Sequence, residues 1–250
     1  MSGHSKWATI KRKKAGIDAK RGKIFTKYIK EISVAARAGG GDPAANPRLR
    51  TAIASAKSVN MPADNIERAI KKGTGELEGV NYEEVSYEGY GPGGIAILMD
   101  SLTDNRNRTA GEIRHLLAKH GGRMAEAGSV QWMFTIKGQV IIPKSAIDED
   151  ALIMLALDAG AEDVNTDDPE SYEVMTPLSQ LESVKAALAS KGIAPTSADL
   201  AKVPQNTITL SDKDAELALK LMELLEDHDD VQRLFTNLDI SDETLSRLES

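Results

Sequence analysis

The sequence predicts an α+β fold: an N-terminal three-helix domain followed by two α+β domains with the split βαβ, ferredoxin-like order of elements. Three observations predict it. Apolar residues recur at helical spacing before residue 74, and short apolar strands alternate with helices after residue 82. The 250 residues also suffice for two or three domains, at roughly 100–200 residues per domain.

The first part of the chain contains three predicted helices. Glycines at residues 39–41 end the first of them. Asn46 and Pro47 begin the second, because asparagine is a favoured N-cap and proline a favoured first helical residue. The helices are predicted at residues 20–38, from residue 46 onward, and at residues 62–73.

Strands and helices then alternate. The glycine-rich segment 89–94 is followed by an apolar strand, so it predicts a hairpin turn and not a nucleotide-binding loop, which a helix would follow. Thr109 and Glu112 have the spacing of a capping box and predict a helix start. Strands are predicted at residues 84–89, 94–100 and 130–136.

The next segment repeats the pattern as β-α-β-β-α-β. Its strands are predicted at 139–142, 162–165, 172–176 and 196–203, with helices at 148–160 and 178–190. The last part supplies a strand at 207–210, a helix capped by Ser211 and a strand at 231–238. These last elements have no sheet of their own, so we expect them to complete the earlier one.

Four segments are therefore predicted. They are a basic arm plus helical domain (1–79), a discontinuous α+β domain (80–136 and 205–242), an inserted acidic ferredoxin-like domain (137–204) and a C-terminal tail (243–250). A single continuous α+β domain after residue 80 is the alternative.

Composition excludes several functions. The chain has no cysteine, which excludes disulfides, cysteine-ligated metals and a thiol nucleophile. No apolar run is long enough to cross a bilayer, so we expect a cytoplasmic protein without a membrane partner. We find no nucleophile and base pair and expect neither enzyme activity nor a cofactor. Asp227-His228-Asp229-Asp230 offers a divalent-ion set, but a solvated helix end is the preferred interpretation.

The charge is divided unevenly along the chain. Residues 1–73 hold 17 Lys or Arg and 5 Asp or Glu, whereas residues 74–250 hold 14 and 33. A basic end beside an acidic remainder predicts contact with a nucleic-acid backbone from one side only. The alternative is that the basic part docks on the acidic part.

The predicted nucleic-acid contacts fall in four groups. The arm offers a run of cations, for which a solubilising tail is the alternative. It also offers a tryptophan able to stack on an unpaired base, for which packing against the helices is the alternative. The first helix extends the cation track along its outer face. The second helix begins with two arginines free to read bases. The loop before residue 109 has two arginines that are predicted to bind phosphate; in the alternative interpretation they pair with Glu83, Glu84 or Glu88. The residues are Lys6, Trp7, Lys11, Arg12, Lys13 and Lys14; Lys20, Arg21, Lys23, Lys27, Lys30 and Arg37; Arg48 and Arg50; Arg106 and Arg108.

Several motifs together resemble the YebC/PmpR family, which also includes the mitochondrial translational activator of cytochrome c oxidase. They are GHSKW (3–7), DAKRGKIFTK (18–27), GGGDP (39–43), NPRLR (46–50), NMP (60–62), YEGYGPGG (87–94) and TDNRNRT (103–109). The resemblance covers essentially the whole chain. The loop at 123–127 departs from it, because relatives often have more glycine there.

The resemblance implies three domains, no enzyme activity and a role in gene expression. Bacterial members are described as transcriptional regulators that bind promoter DNA, while others resemble translation factors that bind ribosomal RNA and relieve stalling at proline-rich stretches. We therefore expect a non-enzymatic nucleic-acid-binding regulator, with promoter DNA first and ribosomal RNA second. A protein-interaction scaffold is the third hypothesis, and a monomer is slightly favoured.

Overall fold

The computed structural model describes residues 19–210, 212–240 and 244. These residues form two compact units. Within the described part, the first unit comprises 19–129 with 216–234, and the second comprises 130–210 with 212–215, 235–240 and 244. The predicted α+β class is confirmed, with a helical region followed by two mixed helix-and-sheet regions. The division into three domains at the predicted boundaries stays a prediction.

The elements of the described part are as follows. The α-helices are α1 (Ala19–Gly39), α2 (Pro47–Ser58), α3 (Ala63–Thr74), α4 (Arg106–Lys119), α5 (Glu149–Asp158), α6 (Leu181–Ser190) and α7 (Asp212–Glu226). The strands are β1 (Glu83–Tyr90), β2 (Ala96–Thr103), β3 (Arg123–Met124), β4 (Phe134–Pro143), β5 (Asp163–Asn165), β6 (Ser171–Pro177), β7 (Ser197–Pro204), β8 (Ile208–Leu210), β9 (Val231–Thr236) and β10 (Leu238–Ile240).

The helical region of the first unit packs around a small apolar core. Ile32 of α1, Leu49 of α2 and Ile66 of α3 are buried in one cluster. Gly73 lets α3 approach α1 closely, since a Cβ there would lie 2.4 Å from the carbonyl oxygen of Ser33. The start of α2 is the predicted one: the Asn46 side chain accepts a hydrogen bond from the backbone N–H of Leu49, as an N-cap does.

The first unit also contains a four-stranded sheet in the order β3-β1-β2-β9. The glycine-rich segment is the hairpin turn between β1 and β2, as predicted, and both Gly93 and Gly94 have positive φ values of 64° and 80°. β9, from the far end of the chain, lies beside β2.

The predicted start of α4 is wrong by one turn. The helix begins at Arg106, because Asn105 is extended and its side chain accepts a hydrogen bond from the backbone N–H of Arg108. Thr109 is therefore inside the helix and fully buried, and its hydroxyl contacts other side chains. The capping-box spacing at Thr109 was misleading because a competing cap lies one turn earlier.

The second unit has the predicted β-α-β-β-α-β order, with an antiparallel sheet ordered β5-β6-β4-β7. Val140, Val174, Leu152 and Leu188 meet in its core. The separate strands predicted at 130–136 and 139–142 are one strand, β4, because pairing with β6 and β7 continues through Gly138. A 3₁₀ turn precedes it.

The predicted extent of the strand at 231–238 is also wrong. It is two strands, because β9 ends at Thr236 and β10 begins at Leu238. The residue between them, Asn237, is buried, and its carbonyl oxygen accepts a hydrogen bond from the backbone N–H of Ile208. β10 pairs in parallel with β8 in the second unit.

Candidate nucleic-acid interface

The lysines of α1 lie against the end of another helix. Lys23, Lys27 and Lys30 follow one another at spacings of four and three residues, so they share one face of α1. Lys27 Nζ donates to the carbonyl oxygen of Glu226 at 2.5 Å, and Lys23 Nζ donates to that of Asp227 at 3.1 Å. Carbonyl groups at a helix C-terminus are unpaired and partly negative, so these ammonium groups stabilise the end of α7.

Lys30 continues this contact into the interior. Its Nζ donates to the Asp229 carbonyl oxygen at 2.9 Å and to Asp230 Oδ1 at 2.5 Å, and the Lys30 side chain is only 8% exposed. The prediction that Lys30 belongs to an outer, solvent-facing track is therefore wrong. Periodicity along α1 identified the lysine face correctly but not the segment that covers it.

Asp230 connects α1 to α4. Its second oxygen, Oδ2, accepts hydrogen bonds from Thr109 Oγ1 at 2.6 Å and from an Arg108 guanidinium nitrogen at 2.8 Å. Burial alone would raise the pKa of Asp230, but hydrogen bonds from Lys30, Thr109 and Arg108 together hold that pKa well below its usual range. The carboxylate is therefore charged, and it fixes two cations and a hydroxyl in place.

The neighbouring His228 completes a polar network and does not favour a metal centre. Glu112, His228 and Asp230 place one ligand atom each within 4.8 Å of one another. The Asp230 backbone N–H donates to His228 Nδ1 at 3.1 Å, which leaves the proton on Nε2, 2.9 Å from Glu112. Asp230 also has two cations beside it, which would repel a metal ion. The 227–230 segment, predicted to be a solvated helix end, is instead anchored here.

The two arginines predicted in a loop lie in the first turn of α4, and both are paired. Arg106 Nε lies 3.7 Å from a carboxylate oxygen of Glu83, so Arg106 forms one of the ion pairs that the alternative interpretation predicted. Arg108 forms salt bridges at 2.8 Å with both Asp104 and Asp230. Hydrogen bonds from Arg108 to these carboxylates, to Asp230 above all, raise the pKa of Arg108. A phosphate at this helix start would have to displace those carboxylates.

The two arginines expected to read bases are likewise occupied. Arg48 pairs with Glu31 at 2.8 Å and with Glu84 at 2.7 Å, and the hydrogen bond to Glu31 is the main cause that raises the pKa of Arg48. Arg50 donates to the carbonyl oxygens of Pro43 and Ala44. Both side chains thus stabilise the loop and strand around them.

Another set of cations has no partner within the described part of the chain. Of its four members only Arg37, on α1, was predicted from the sequence. The other three were missed, although two of them, Arg68 and Lys72, have the four-residue spacing of one helix face. That face of α3 lies away from its apolar residues Ile66 and Ala69. The four cations are Arg37, Lys57, Arg68 and Lys72.

Comparisons with known proteins match this chain along almost all of its length. Residues 5–76 match the domain family described as "TACO1/YebC protein N-terminal domain", and residues 82–238 match "TACO1/YebC second and third domain". The chain belongs to the TACO1/YebC family. The resemblance inferred from the sequence motifs is therefore confirmed.

Relatives of this TACO1/YebC chain carry a common name. A "Probable transcriptional regulatory protein" of Chlorobaculum parvum is 57% identical over 249 residues, covering 100% of this chain and 99% of the relative. One of Desulfatibacillum aliphaticivorans is 57% identical over 245 residues, covering 98% and 99%. The crystal structure of a conserved hypothetical protein from Aquifex aeolicus matches with a TM-score of 0.83 and 46% identity, covering 91% and 94%.

Part of the interface predicted for this TACO1/YebC protein falls beyond the described residues. Lys6, Trp7, Lys11, Arg12, Lys13 and Lys14 lie outside them, and so do the side chains of Lys20 and Arg21. Across the described ranges, no helix is both long and apolar enough to pass through a membrane.

Proposed function

We propose that this protein is a non-enzymatic, nucleic-acid-binding regulator of gene expression, and that its target is promoter DNA. The observation that carries the proposal is the group of unpaired cations on the helical region: Arg37, Lys57, Arg68 and Lys72. The names of its relatives, which describe transcriptional regulation, support the same class of function.

The contacts are expected to be made with phosphates. Arg68 and Lys72 present two cations one turn apart on α3. Arg37 lies on α1, one turn beyond Ser33, and the Ser33 hydroxyl donates to the Ala69 carbonyl oxygen of α3, so the two helices are in contact next to these cations. Phosphate neutralisation by lysine and arginine releases counterions, so binding should weaken steeply with salt. The basic arm at residues 6–14 supplies further cations for contacts of the same kind.

Ribosomal RNA is the second candidate, and one observation favours it. Arg48 and Arg50, the side chains expected to reach base edges, are held by Glu31, Glu84 and two carbonyl oxygens. Phosphate contacts position a protein without reading sequence. A surface that relies on them suits recognition of nucleic-acid shape, as in folded RNA.

The test compares two charge-reversed variants in anisotropy titrations with a promoter fragment, random DNA of equal length and a ribosomal RNA fragment. Arg68→Glu/Lys72→Glu should weaken binding about tenfold or more and reduce the salt slope by about 2. The matched control is Lys191→Glu/Lys213→Glu, which changes the net charge equally at exposed lysines outside the first unit. It should bind almost as the wild type does.

The outcomes separate the candidates. Preference for promoter over random DNA supports transcriptional regulation. Equal DNA affinities with tighter RNA binding, and co-sedimentation with ribosomes at low salt, support the translation factor. An equal loss in both variants would mean that only net charge matters, and the proposed surface would be rejected.

A further inference from the structure

The second unit has apolar side chains on the outer side of α5. Leu152 and Ala156 of this helix are buried in the core of the unit. Met154 and Leu157 face the other way and are 68% and 50% exposed. A helix that is apolar on both sides is ordinarily covered on both sides. The outer side of α5 therefore has the character of a surface that a partner covers.

The chain segment that contains this strip is strongly acidic. Between Lys144 and Lys185 the chain has 11 Asp or Glu and no Lys, Arg or His. Asp150 and Asp158 lie one turn before and one turn after Met154, on the same face of α5, and both are exposed. Within the described residues, neither aspartate has an ion-pair partner.

We propose that the outer face of α5 is a docking site for a basic, amphipathic helix of a partner protein. The partner's apolar side would cover Met154 and Leu157, and its lysines or arginines would meet Asp150 and Asp158. Methionine is flexible and polarisable, which suits a surface that adapts to a partner. Complementary charge around an apolar centre steers the encounter and fixes the register.

The charge of the strip decides against a nucleic acid as its occupant, because phosphates would be repelled. The site is thus independent of the cations on the helical region. Its failure would leave the proposed nucleic-acid function untouched, and substitutions on α5 should not alter nucleic-acid affinity.

The test uses the full chain and a fluorescein-labelled peptide of leucine and lysine, about 18 residues or five turns long, with the leucines on one side. A scrambled peptide of the same composition measures attraction by charge alone. The wild type should bind the amphipathic peptide about tenfold more tightly than the scrambled one. Met154→Ser/Leu157→Ser should lose that preference, since truncation of a central apolar anchor ordinarily costs about tenfold in affinity.

Leu178→Ser is the matched control, because Leu178 is 53% exposed in the same unit but lies outside α5. It should bind as the wild type does, and all variants should keep the wild-type circular dichroism spectrum. Equal affinity for both peptides, or unchanged affinity in Met154→Ser/Leu157→Ser, would overturn the proposal. So would self-association of the chain that these two substitutions abolish, because the occupant would then be a second copy.

Discussion

Lys30 and Asp230 contact each other, but we expect the removal of Asp230 to destabilise the protein more than the removal of Lys30. Asp230 accepts from Lys30, Thr109 and Arg108, so removal of Lys30 leaves the carboxylate with two donors. Lys30 has no other carboxylate among its described partners; the rest are the backbone carbonyl oxygens of Asp229 and Leu102 and the ring of Tyr82, whose centre lies 5.4 Å from Nζ. Removal of Asp230 therefore leaves a buried ammonium without a counter-charge.

The expected costs follow from this difference. Lys30→Met keeps most of the side-chain volume and loses charge-assisted hydrogen bonds, which should lower the free energy of unfolding by about 1.5–3 kcal/mol. Asp230→Asn leaves an uncompensated buried charge and should cost about 3–5 kcal/mol. In the double variant the two costs should not add, because the groups contact each other.

Urea unfolding at pH 7, followed by circular dichroism, measures all three variants. Lys23→Met is the control, since its side chain is 48% exposed and its nearest carboxylate oxygen lies 3.8 Å away, so it should cost under about 1 kcal/mol. If Lys30→Met is as costly as Asp230→Asn, or if the two costs add fully, the network does not centre on Asp230 and the reasoning fails.

Three further predictions depend on single contacts. The folded pKa of Asp230 lies below its ordinary value of about 3.9, so the stability that Asp230 adds is present above that pH and is lost gradually as the pH falls from there through the lower folded pKa. Denaturant curves from pH 7 to pH 3 should show the onset of this loss in the wild type, and a smaller loss in Asp230→Asn. Gly73→Ala should destabilise by about 1–3 kcal/mol in thermal unfolding because of the close Ser33 carbonyl oxygen, whereas Gly22→Ala, with open space around it, should not. Arg48→Ala should cost under about 1 kcal/mol, since its ion pairs are exposed, and should leave nucleic-acid affinity unchanged in the same titrations.

Local patterns in the sequence predicted most of the elements. The Asn46-Pro47 helix start, the glycine turn between β1 and β2 and the split βαβ order all follow from interactions between near neighbours in the chain. The start of α4 could not be predicted locally, because Asn105 and Thr109 are both acceptable caps and only packing against a distant segment decides between them. Thr109 is buried against Asp230, so the helix must begin earlier.

The lysine face of α1 could not be assigned from the sequence because its partner is about 200 residues away. Lys30 and Asp230 are separated by 200 positions. A spacing of four and three residues places lysines on one face equally well whether solvent or a helix end lies opposite. The acidic segment at 227–230 has no periodicity that identifies it as the partner, so both halves of the contact were interpreted as solvated.

Exposure along α1 limits how far a nucleic acid can follow this helix. The side chain of Lys23 is 48% exposed, while that of Lys30 is 8% exposed and bound to a carboxylate. A phosphate can replace the carbonyl oxygen that Lys23 contacts, since both accept from the ammonium group and the phosphate carries a full charge. It cannot replace Asp230 without removing a buried anion from between two cations. A nucleic-acid backbone that followed α1 would therefore contact Lys23 and would lose contact with the helix before Lys30.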